Sequence, residues 1–213
     1  MRVLEPQQPA RAAVIWLHGL GADCHDFVDV VPLLKLSGVR FVFPQAPVRP
    51  VTINAGYAMP SWYDILASGA DFRRTDVAQL QESVTLVKRL VQEQLDAGIP
   101  SESIVLVGFS QGGAVALQAG LSLELPLAGI LALSTYLPCA ELLNPPCPQR
   151  VVQMHGHYDT VVGPELAKAC QQQLQQWQLP LTSYWYPMEH ELCMPQIEDM
   201  ANLLQQWLPT QNV

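Results

Sequence analysis

A serine on a glycine-rich turn is the first residue of this chain whose surroundings indicate chemistry. The segment Gly108-Phe109-Ser110-Gln111-Gly112 matches the pattern GxSxG and directly follows an apolar run at residues 104–107. In a nucleophile elbow, such a serine lies on a strained turn between a strand and a helix, and small neighbours are needed because the helix passes close to the strand. The motif predicts Ser110 as a nucleophile. The alternative is a glycine-rich turn that only packs two elements closely.

A serine hydroxyl needs a base, and the base needs a carboxylate that orients it. After an elbow of this kind, the two partners follow in the order Asp then His, each on a loop after a strand. Asp159 follows the apolar run 151–154, and His190 follows the run 182–186. Because an imidazole has a pKa of about 6.5, His190 can take up the serine proton at neutral pH and return it to a leaving group. We therefore predict a Ser110–His190–Asp159 triad.

The turn after the first apolar run, residues 13–17, supplies the other half of the predicted site. Its sequence is His18-Gly19-Leu20-Gly21, and the glycines let the chain bend so that the backbone N–H of Leu20 faces the same carbonyl as the N–H of Gln111. Two such donors form an oxyanion hole, and we interpret His18 as a side chain that braces the turn. The segment alone also fits an ordinary strand-end turn, but it lacks the lysine of a P-loop and the GxGxxG spacing of a dinucleotide site.

The segment His155-Gly156-His157-Tyr158-Asp159 has a second interpretation. It reads HxHxD, which resembles the opening of the metal-ligand motif HxHxDH of metallo-β-lactamases. Alternate histidines can bind one Zn²⁺, which would activate water without a serine. However, Thr160 stands where that family has its next histidine, and the only histidines outside the segment are His18, His25 and His190. We therefore favour the triad and expect no metal and no other cofactor.

The rest of the chain supplies the elements that must position these groups. Short β-branched runs alternate with longer helical patterns, which is typical of an α/β protein with a mainly parallel sheet covered by helices on both faces. The runs are almost continuously apolar, as strands buried on both faces require. We predict strands at residues 13–17, 39–43, 104–107, 129–133, 151–154 and 182–186, and helices at 26–36, 75–97, 111–121, 164–178 and 195–207. Residues 44–60 are predicted to be a long connection.

Length and composition restrict the kind of protein further. The 213 residues fit a single domain spanning residues 1–213, without repeats or composition breaks. The 19 acidic residues outnumber the 11 basic ones, and the net charge of −8 disfavours binding to nucleic acid or anionic lipids. No apolar run reaches the ~18 residues of a membrane span, so we expect no integral membrane association. Five scattered cysteines and the lack of a secretory signal predict reduced thiols and a cytoplasmic protein.

The whole pattern resembles the α/β-hydrolase family of small carboxylesterases, phospholipases and acyl-protein thioesterases. The resemblance covers nearly the whole chain. It implies Ser110 as nucleophile, Asp159 and His190 as its partners, and the N–H groups of Leu20 and Gln111 as the oxyanion hole. The segments that carry it are LHGLGAD (17–23), PQAPVRPVTIN (44–54), MPSWYDI (59–65), GFSQGGAVAL (108–117), ALSTYLP (132–138), HGHYDTVV (155–162) and YPMEHELC (186–193).

Three positions depart from the family pattern without removing a catalytic group. Glu189 stands beside His190 where many relatives have glycine, and Gln79 replaces a helix glycine. Gly163 is inserted before Pro164. These departures leave the acyl preference open.

These roles predict a serine carboxylesterase that hydrolyses carboxylic esters, with thioesters as a further substrate class, through an acyl-enzyme. An acyl-protein thioesterase or lysophospholipase of the same fold is the alternative, and a catalytically silent binding module is a third interpretation. We expect a small-molecule or lipid ester, or an acylated protein, as substrate, and a homodimer is left open. The segment after Leu133 is too short for a cap domain, so we expect an open site. Its acyl groove is predicted to be lined by Trp62, Ile65, Leu66, Tyr136 and Val161, although core packing would explain each equally well.

Overall fold

The computed structural model describes residues 1–69, 71–143 and 146–209. Within them, strands and helices alternate as the apolar pattern predicts. The strands are β1 (Arg2–Leu4), β2 (Ala12–Leu17), β3 (Val39–Phe43), β4 (Val48–Val51), β5 (Tyr57–Pro60), β6 (Ile65–Ser68), β7 (Arg73–Thr75), β8 (Ile104–Phe109), β9 (Gly129–Leu133), β10 (Val151–Gly156) and β11 (Leu181–Tyr186). The α-helices are α1 (Val77–Asp96), α2 (Gln111–Leu121), α3 (Pro164–Gln176) and α4 (Met194–Trp207).

Seven of these strands form the central sheet, in the order β1-β3-β2-β8-β9-β10-β11. All neighbouring pairs are parallel except β1, which pairs antiparallel with β3 at one edge. The mainly parallel sheet and its six predicted strands are confirmed, and the short edge strand β1 was not predicted. Because the strands are parallel, the carboxyl ends of β2, β8, β10 and β11 lie along the same edge of the sheet.

Each face of the sheet carries its own hydrophobic core. Along β2, Ala13, Ile15 and Leu17 point to one core, and the residues between them point to the other. The first core is covered by α1, α2 and α3, and the second by α4 and a 3₁₀ helix at Val28–Leu34. Burial on both faces explains why the strands are apolar without alternation. No helix in the described ranges is both long and apolar enough to cross a bilayer.

The helix predictions hold with one exception. In α1, the carboxylate of the N-cap residue Asp76 accepts a hydrogen bond from the backbone N–H of Gln79 at 3.0 Å. Residues 26–36, predicted as a helix, form only the 3₁₀ helix Val28–Leu34. Pro32 lies inside this segment, and a proline lacks the N–H that an α-helix would need at that position.

The connection at residues 44–60 contains structure that was not predicted. Strands β4 and β5 pair as an antiparallel hairpin, and β6 and β7 form a second one directly after it. The chain reverses at Ala55 and Gly56, which both adopt positive φ angles of 55° and 76°. Both hairpins lie on the same side of the molecule as the carboxyl ends of the central strands, since Gly21, after β2, donates its N–H to the carbonyl of Pro60 at 2.8 Å.

Candidate active site

Ser110 occupies a sharp turn between β8 and α2. Its backbone angles, φ 54° and ψ −122°, lie in a region that side chains rarely adopt. The turn is possible because the neighbouring glycines let two backbones touch. A Cβ atom on Gly112 would lie 2.6 Å from the carbonyl oxygen of Leu17, and one on Gly108 would collide with the carbonyl of Gly112. Helix α2 therefore begins directly against the sheet, with the hydroxyl of Ser110 at its amino end.

The structure brings the three predicted side chains together. The Nε2 atom of His190 lies 2.9 Å from the hydroxyl oxygen of Ser110, and its Nδ1 atom lies 2.7 Å from Oδ2 of Asp159. Because an ionised carboxylate can only accept hydrogen bonds, Nδ1 carries the imidazole proton, and Nε2 is free to accept the serine proton. The ring of His190 also packs against Phe109, with 4.8 Å between ring centroids.

The carboxylate of Asp159 is held by the loop that follows it. Its Oδ1 atom accepts hydrogen bonds from the backbone N–H groups of Val161 at 2.9 Å and Val162 at 2.7 Å. Below it, Nε2 of the buried His155 donates to the carbonyl of Val162 at 2.8 Å, and burial lowers the pKa of His155. With one oxygen bonded to this loop and the other to His190, the carboxylate has a single fixed orientation.

Leu20 and Gln111, which are predicted to supply the oxyanion hole, both line the pocket that contains Ser110. Gln111 is the first residue of α2, where a helix leaves its N–H groups without internal partners. Leu20 lies in the turn after β2, and in the described chain its N–H makes no hydrogen bond to another protein group. The neighbouring His18 is buried, which lowers its pKa. It accepts from the N–H of Ala46 at 3.1 Å through Nε2 and donates to the carbonyl of Gly19 at 2.7 Å through Nδ1.

Comparison with known proteins identifies the family. A family model described as Phospholipase/Carboxylesterase matches residues 1–208. The chain belongs to this family. It is therefore an α/β-hydrolase and, more specifically, an ester hydrolase of the serine hydrolase class.

Individual relatives of this hydrolase agree with that assignment. The acyl-protein thioesterase 1 of Mycosarcoma maydis is 38% identical over 98% of this chain and 97% of the relative. That of Neurospora crassa is 36% identical over 93% of this chain and 87% of the relative. Among solved structures, SOBER1 of Arabidopsis thaliana aligns with a TM-score of 0.86 at 25% identity, covering 92% of this chain and 99% of its own. The acyl-protein thioesterase 2 of Zea mays aligns with a TM-score of 0.84 at 22% identity, covering 96% of this chain and 97% of its own. These structures share the fold of the hydrolase.

The side chain of Gln111 has a second task that the motif did not reveal. Its Oε1 atom accepts from the backbone N–H of Trp62 at 2.8 Å, and its Nε2 atom donates to the carbonyl of Tyr63 at 2.7 Å. Through these bonds the start of α2 holds the segment between β5 and β6 underneath the site. The available signal in the sequence was a glutamine in a helix whose other side chains are almost all apolar and small.

A groove of about 400 Å³ opens beside Ser110 and His190 in the hydrolase. Three of the five predicted groove residues, Ile65, Tyr136 and Val161, form part of its wall. Further wall residues that were not predicted include Ile53, Arg73 and Phe109.

The other two predicted groove residues, Trp62 and Leu66, lie elsewhere, and the prediction is corrected for both. Trp62 is 0% exposed because its indole packs beneath His18 and donates to the carbonyl of that residue at 2.8 Å. Leu66 follows Ile65 on β6, where the pairing with β7 is irregular, and it does not line the groove.

Tyr136, one of the residues in the groove wall, is hydrogen-bonded to the buried Tyr63. The phenol oxygens of Tyr136 and Tyr63 lie 2.8 Å apart. Burial raises the pKa of Tyr136 to about 12 and that of Tyr63 well above its usual value, so both phenols stay protonated and neutral near neutral pH. At the outer end, Val161 is 55% exposed and forms part of the open rim.

The HxHxD segment does not have the geometry of a metal site. The Nε2 atom of His155 is already bonded to the carbonyl of Val162, and the exposed ring of His157 stacks on Trp185 at 5.5 Å between centroids. Among the residues that the structure describes, ligand atoms converge instead in the turn Asp23-Cys24-His25, where they lie within 4.8 Å of one another. Neither histidine of the HxHxD segment is in that group.

Proposed function

We propose that the hydrolase cleaves acyl thioesters of the kind that a fatty acyl group forms with a protein cysteine, with Ser110 as its nucleophile. The observation that carries the proposal is the continuous hydrogen-bond chain from Ser110 through His190 to Asp159, with distances of 2.9 and 2.7 Å. In this arrangement, His190 acts as general base and Asp159 keeps its imidazole in the required tautomer. The pattern and its order along the chain are those of a serine hydrolase elbow.

The reaction follows from these roles. The hydroxyl oxygen of Ser110 attacks the thioester carbonyl carbon while Nε2 of His190 takes the hydroxyl proton. The carbonyl electron pair moves to oxygen, and the oxyanion accepts hydrogen bonds from the N–H groups of Leu20 and Gln111. When the intermediate collapses, the carbon–sulfur bond breaks and the leaving thiolate takes the proton from His190. Water, deprotonated by His190, then attacks the acyl-enzyme carbonyl. The bond to the Ser110 oxygen breaks, this oxygen takes the proton back from His190, and the carboxylic acid leaves.

The hypothesis that thioesters are the substrate is supported by the relatives. Three acyl-protein thioesterases match this chain at 34 to 38% identity over more than nine-tenths of its length. The second candidate is a carboxylesterase acting on oxygen esters, which was favoured from the sequence, or a lysophospholipase, which was part of the alternative. The family description Phospholipase/Carboxylesterase supports it. The same nucleophile and oxyanion donors serve both substrates, so the leaving group alone separates the two candidates.

The shape of the site fits an acyl group carried by a larger molecule. The groove of about 400 Å³ is open to solvent at the rim formed by Val161, and apolar side chains such as Ile53, Ile65 and Phe109 line its walls. Such a site can bind an acyl chain while the protein or lipid that carries it stays outside. The five free cysteines are typical of a reducing compartment, and we place the enzyme in the cytoplasm on that ground, which cell fractionation would check.

The test compares two peptides that differ in one atom: the same sequence acylated on the sulfur of a cysteine or on the oxygen of a serine. We expect a higher kcat/KM for the thioester, and no turnover of either peptide by Ser110→Ala. A fluorophosphonate probe should label the wild type and not Ser110→Ala. Ser122→Ala, which removes a hydroxyl at the far end of α2, is the matched control and should behave like the wild type. Faster cleavage of the oxygen ester would favour the second candidate, and an active Ser110→Ala would overturn both.

A further inference from the structure

Arg73 connects a hairpin to the loop that carries Asp159. It is the first residue of β7, and its Nη2 atom donates to the backbone carbonyl of Val161 at 2.5 Å, although 88 residues separate the two. Its Nη1 atom donates to the carbonyls of Gly69 at 2.5 Å and Phe72 at 3.0 Å in its own hairpin. The guanidinium therefore bridges the β6–β7 hairpin and the loop that follows β10.

The side chain of Arg73 is hydrogen-bonded without being ion-paired. In the described residues it forms no ion pair, although the chain holds 19 acidic residues against 11 basic ones. All three of its acceptors are neutral backbone carbonyls. The planar fork of a guanidinium can serve several such acceptors at once, which a lysine ammonium on a flexible stem does less well.

The bond from Arg73 to Val161 matters because Val161 also binds the carboxylate of Asp159. The N–H of Val161 binds Oδ1 of Asp159 at 2.9 Å, and the carbonyl of the same residue accepts from Arg73. Both peptide groups that flank Val161 are bonded to Oδ1 of Asp159 through their N–H groups, and the second of them is also bonded to the guanidinium through the carbonyl of Val161. His155 holds the next carbonyl, that of Val162, at 2.8 Å. Arg73 adds a bond from the facing hairpin to the bonds that Asp159 and His155 make within the same stretch of chain.

Strand β7, which carries Arg73, is itself anchored to neighbouring elements. Strand β7 pairs with β6, and the next residue after it, Asp76, donates its N–H to the carbonyl of Asp64 at 2.9 Å. Asp76 also caps α1, which packs against the core. Because the backbone at Arg73 is anchored in this way, its side chain can fix the loop opposite.

We propose that Arg73 is a positioning residue, which keeps Asp159 aligned on His190 by fixing the carbonyl of Val161. The inference rests on the proposed role of Asp159 in the triad. Arg73 also forms part of the groove wall, so its removal changes KM as well, and the loss that the positioning role predicts is the fall in kcat, measured at saturating substrate. Small displacements of a catalytic group are costly, and we expect a fall in kcat of about 10- to 100-fold.

The experiment uses four variants of the full chain: Arg73→Ala, Arg73→Lys, Arg74→Ala and Ser110→Ala. Arg74 is the exposed neighbour on the same strand, so Arg74→Ala makes the same change in charge without breaking the bridge. We expect Arg74→Ala to match the wild type, Arg73→Lys to be intermediate, and Arg73→Ala to show the full loss of kcat. Millimolar guanidinium chloride, far below denaturing concentrations, should partly restore Arg73→Ala, whereas sodium chloride at the same concentration should not.

Several outcomes would overturn the inference. They are a kcat of Arg73→Ala within twofold of the wild type, a rise in KM with an unchanged kcat, and an equal loss in Arg74→Ala. If Arg73→Ala does not fold, Arg73→Lys is the test of the bridge. A wild-type kcat in Arg73→Lys, at wild-type thermal stability, contradicts the inference. Ser110→Ala separates this inference from the proposed function. If Ser110→Ala is active, the proposed triad is wrong regardless of the result for Arg73. If it is inactive, the Arg73 variants test the positioning role alone.

Discussion

The Nε2 atom of His190 lies 2.9 Å from the hydroxyl oxygen of Ser110, although 80 residues separate them in the chain. The two residues follow β8 and β11, which are separated in the sheet by β9 and β10. Parallel strands end at the same edge, and the loops beyond that edge are long enough to bring the two side chains across the intervening strands. The contact thus depends on the packing of the whole sheet.

The side chain of Gln111 is predicted to stabilise the segment below the site. In Gln111→Ala, the buried N–H of Trp62 loses its partner, whereas the carbonyl of Tyr63 still accepts from the hydroxyl of Ser61 at 2.7 Å. One unsatisfied buried group costs roughly 1–3 kcal/mol, so we expect a loss of about 1–3 kcal/mol in the free energy of unfolding, measured by urea denaturation. Gln92→Ala, on the exposed side of α1, should change stability by no more than about 0.5 kcal/mol. Equal stability of the two variants would contradict the role of Gln111.

The close contact at Gly112 is predicted to tolerate no side chain. A Cβ atom there would lie 2.6 Å from the carbonyl oxygen of Leu17 and also collide with that of His18. Both obstacles are backbone, so α2 must move, and we expect Gly112→Ala to lose activity together with about 1–3 kcal/mol or more of stability. The matched control is Gly98→Ala, since Gly98 has a φ of 86° but open space around it. That variant carries only the backbone cost of about 1–2 kcal/mol and should keep its activity. An active Gly112→Ala would show that α2 can shift without disturbing the site.

Stability is predicted to fall in mild acid because of two buried histidines. Burial lowers the pKa of both His18 and His155 in the folded protein. The unfolded chain binds protons on these imidazoles at a pH of about 6.5, whereas the folded chain binds them only at lower pH. As the pH falls from about 7.5 to 5.5, the unfolded state therefore takes up more protons, and the free energy of unfolding decreases.

Thermal unfolding between these pH values measures this effect. We expect the melting temperature of the wild type to fall, and that of His155→Gln to fall by less, because one of the two groups is gone. His25→Gln removes an exposed imidazole and serves as the control, which should retain the wild-type dependence. The assignment fails if the pH dependence of His155→Gln equals that of the wild type.

Local patterns in the sequence were sufficient for most of the fold. The six apolar runs became strands, and the helical pattern of residues 75–97 predicted the longest helix, because both signals act between near neighbours. Residues 26–36 show the limit of such patterns, since Pro32 turned a helical pattern into a 3₁₀ helix. The short strands β1 and β4 to β7 were missed because they are partly exposed and lack a continuous apolar run.

The sequence likewise predicted some residues of the candidate site and missed others. Ser110, Asp159 and His190 were predicted as a triad because each follows an apolar run in a recognisable order, and their side chains lie in hydrogen-bond contact. Trp62 was placed wrongly, since apolar character alone does not distinguish a groove wall from the core beneath it. The bridge from Arg73 to Val161 had no signal in the sequence at all, because its acceptor is a backbone carbonyl 88 residues away.

The amino-acid sequence by itself determined the order of the elements, the elbow at Ser110 and the loops that carry its two partners. These follow from backbone preferences and apolar spacing, which depend on residues close together in the chain. Only the tertiary structure decided how far apart the reacting atoms lie, which side chains face the groove and what holds the Asp159 loop. Those distances result from helices packing on a twisted sheet, where the contacts join residues that are distant in the chain.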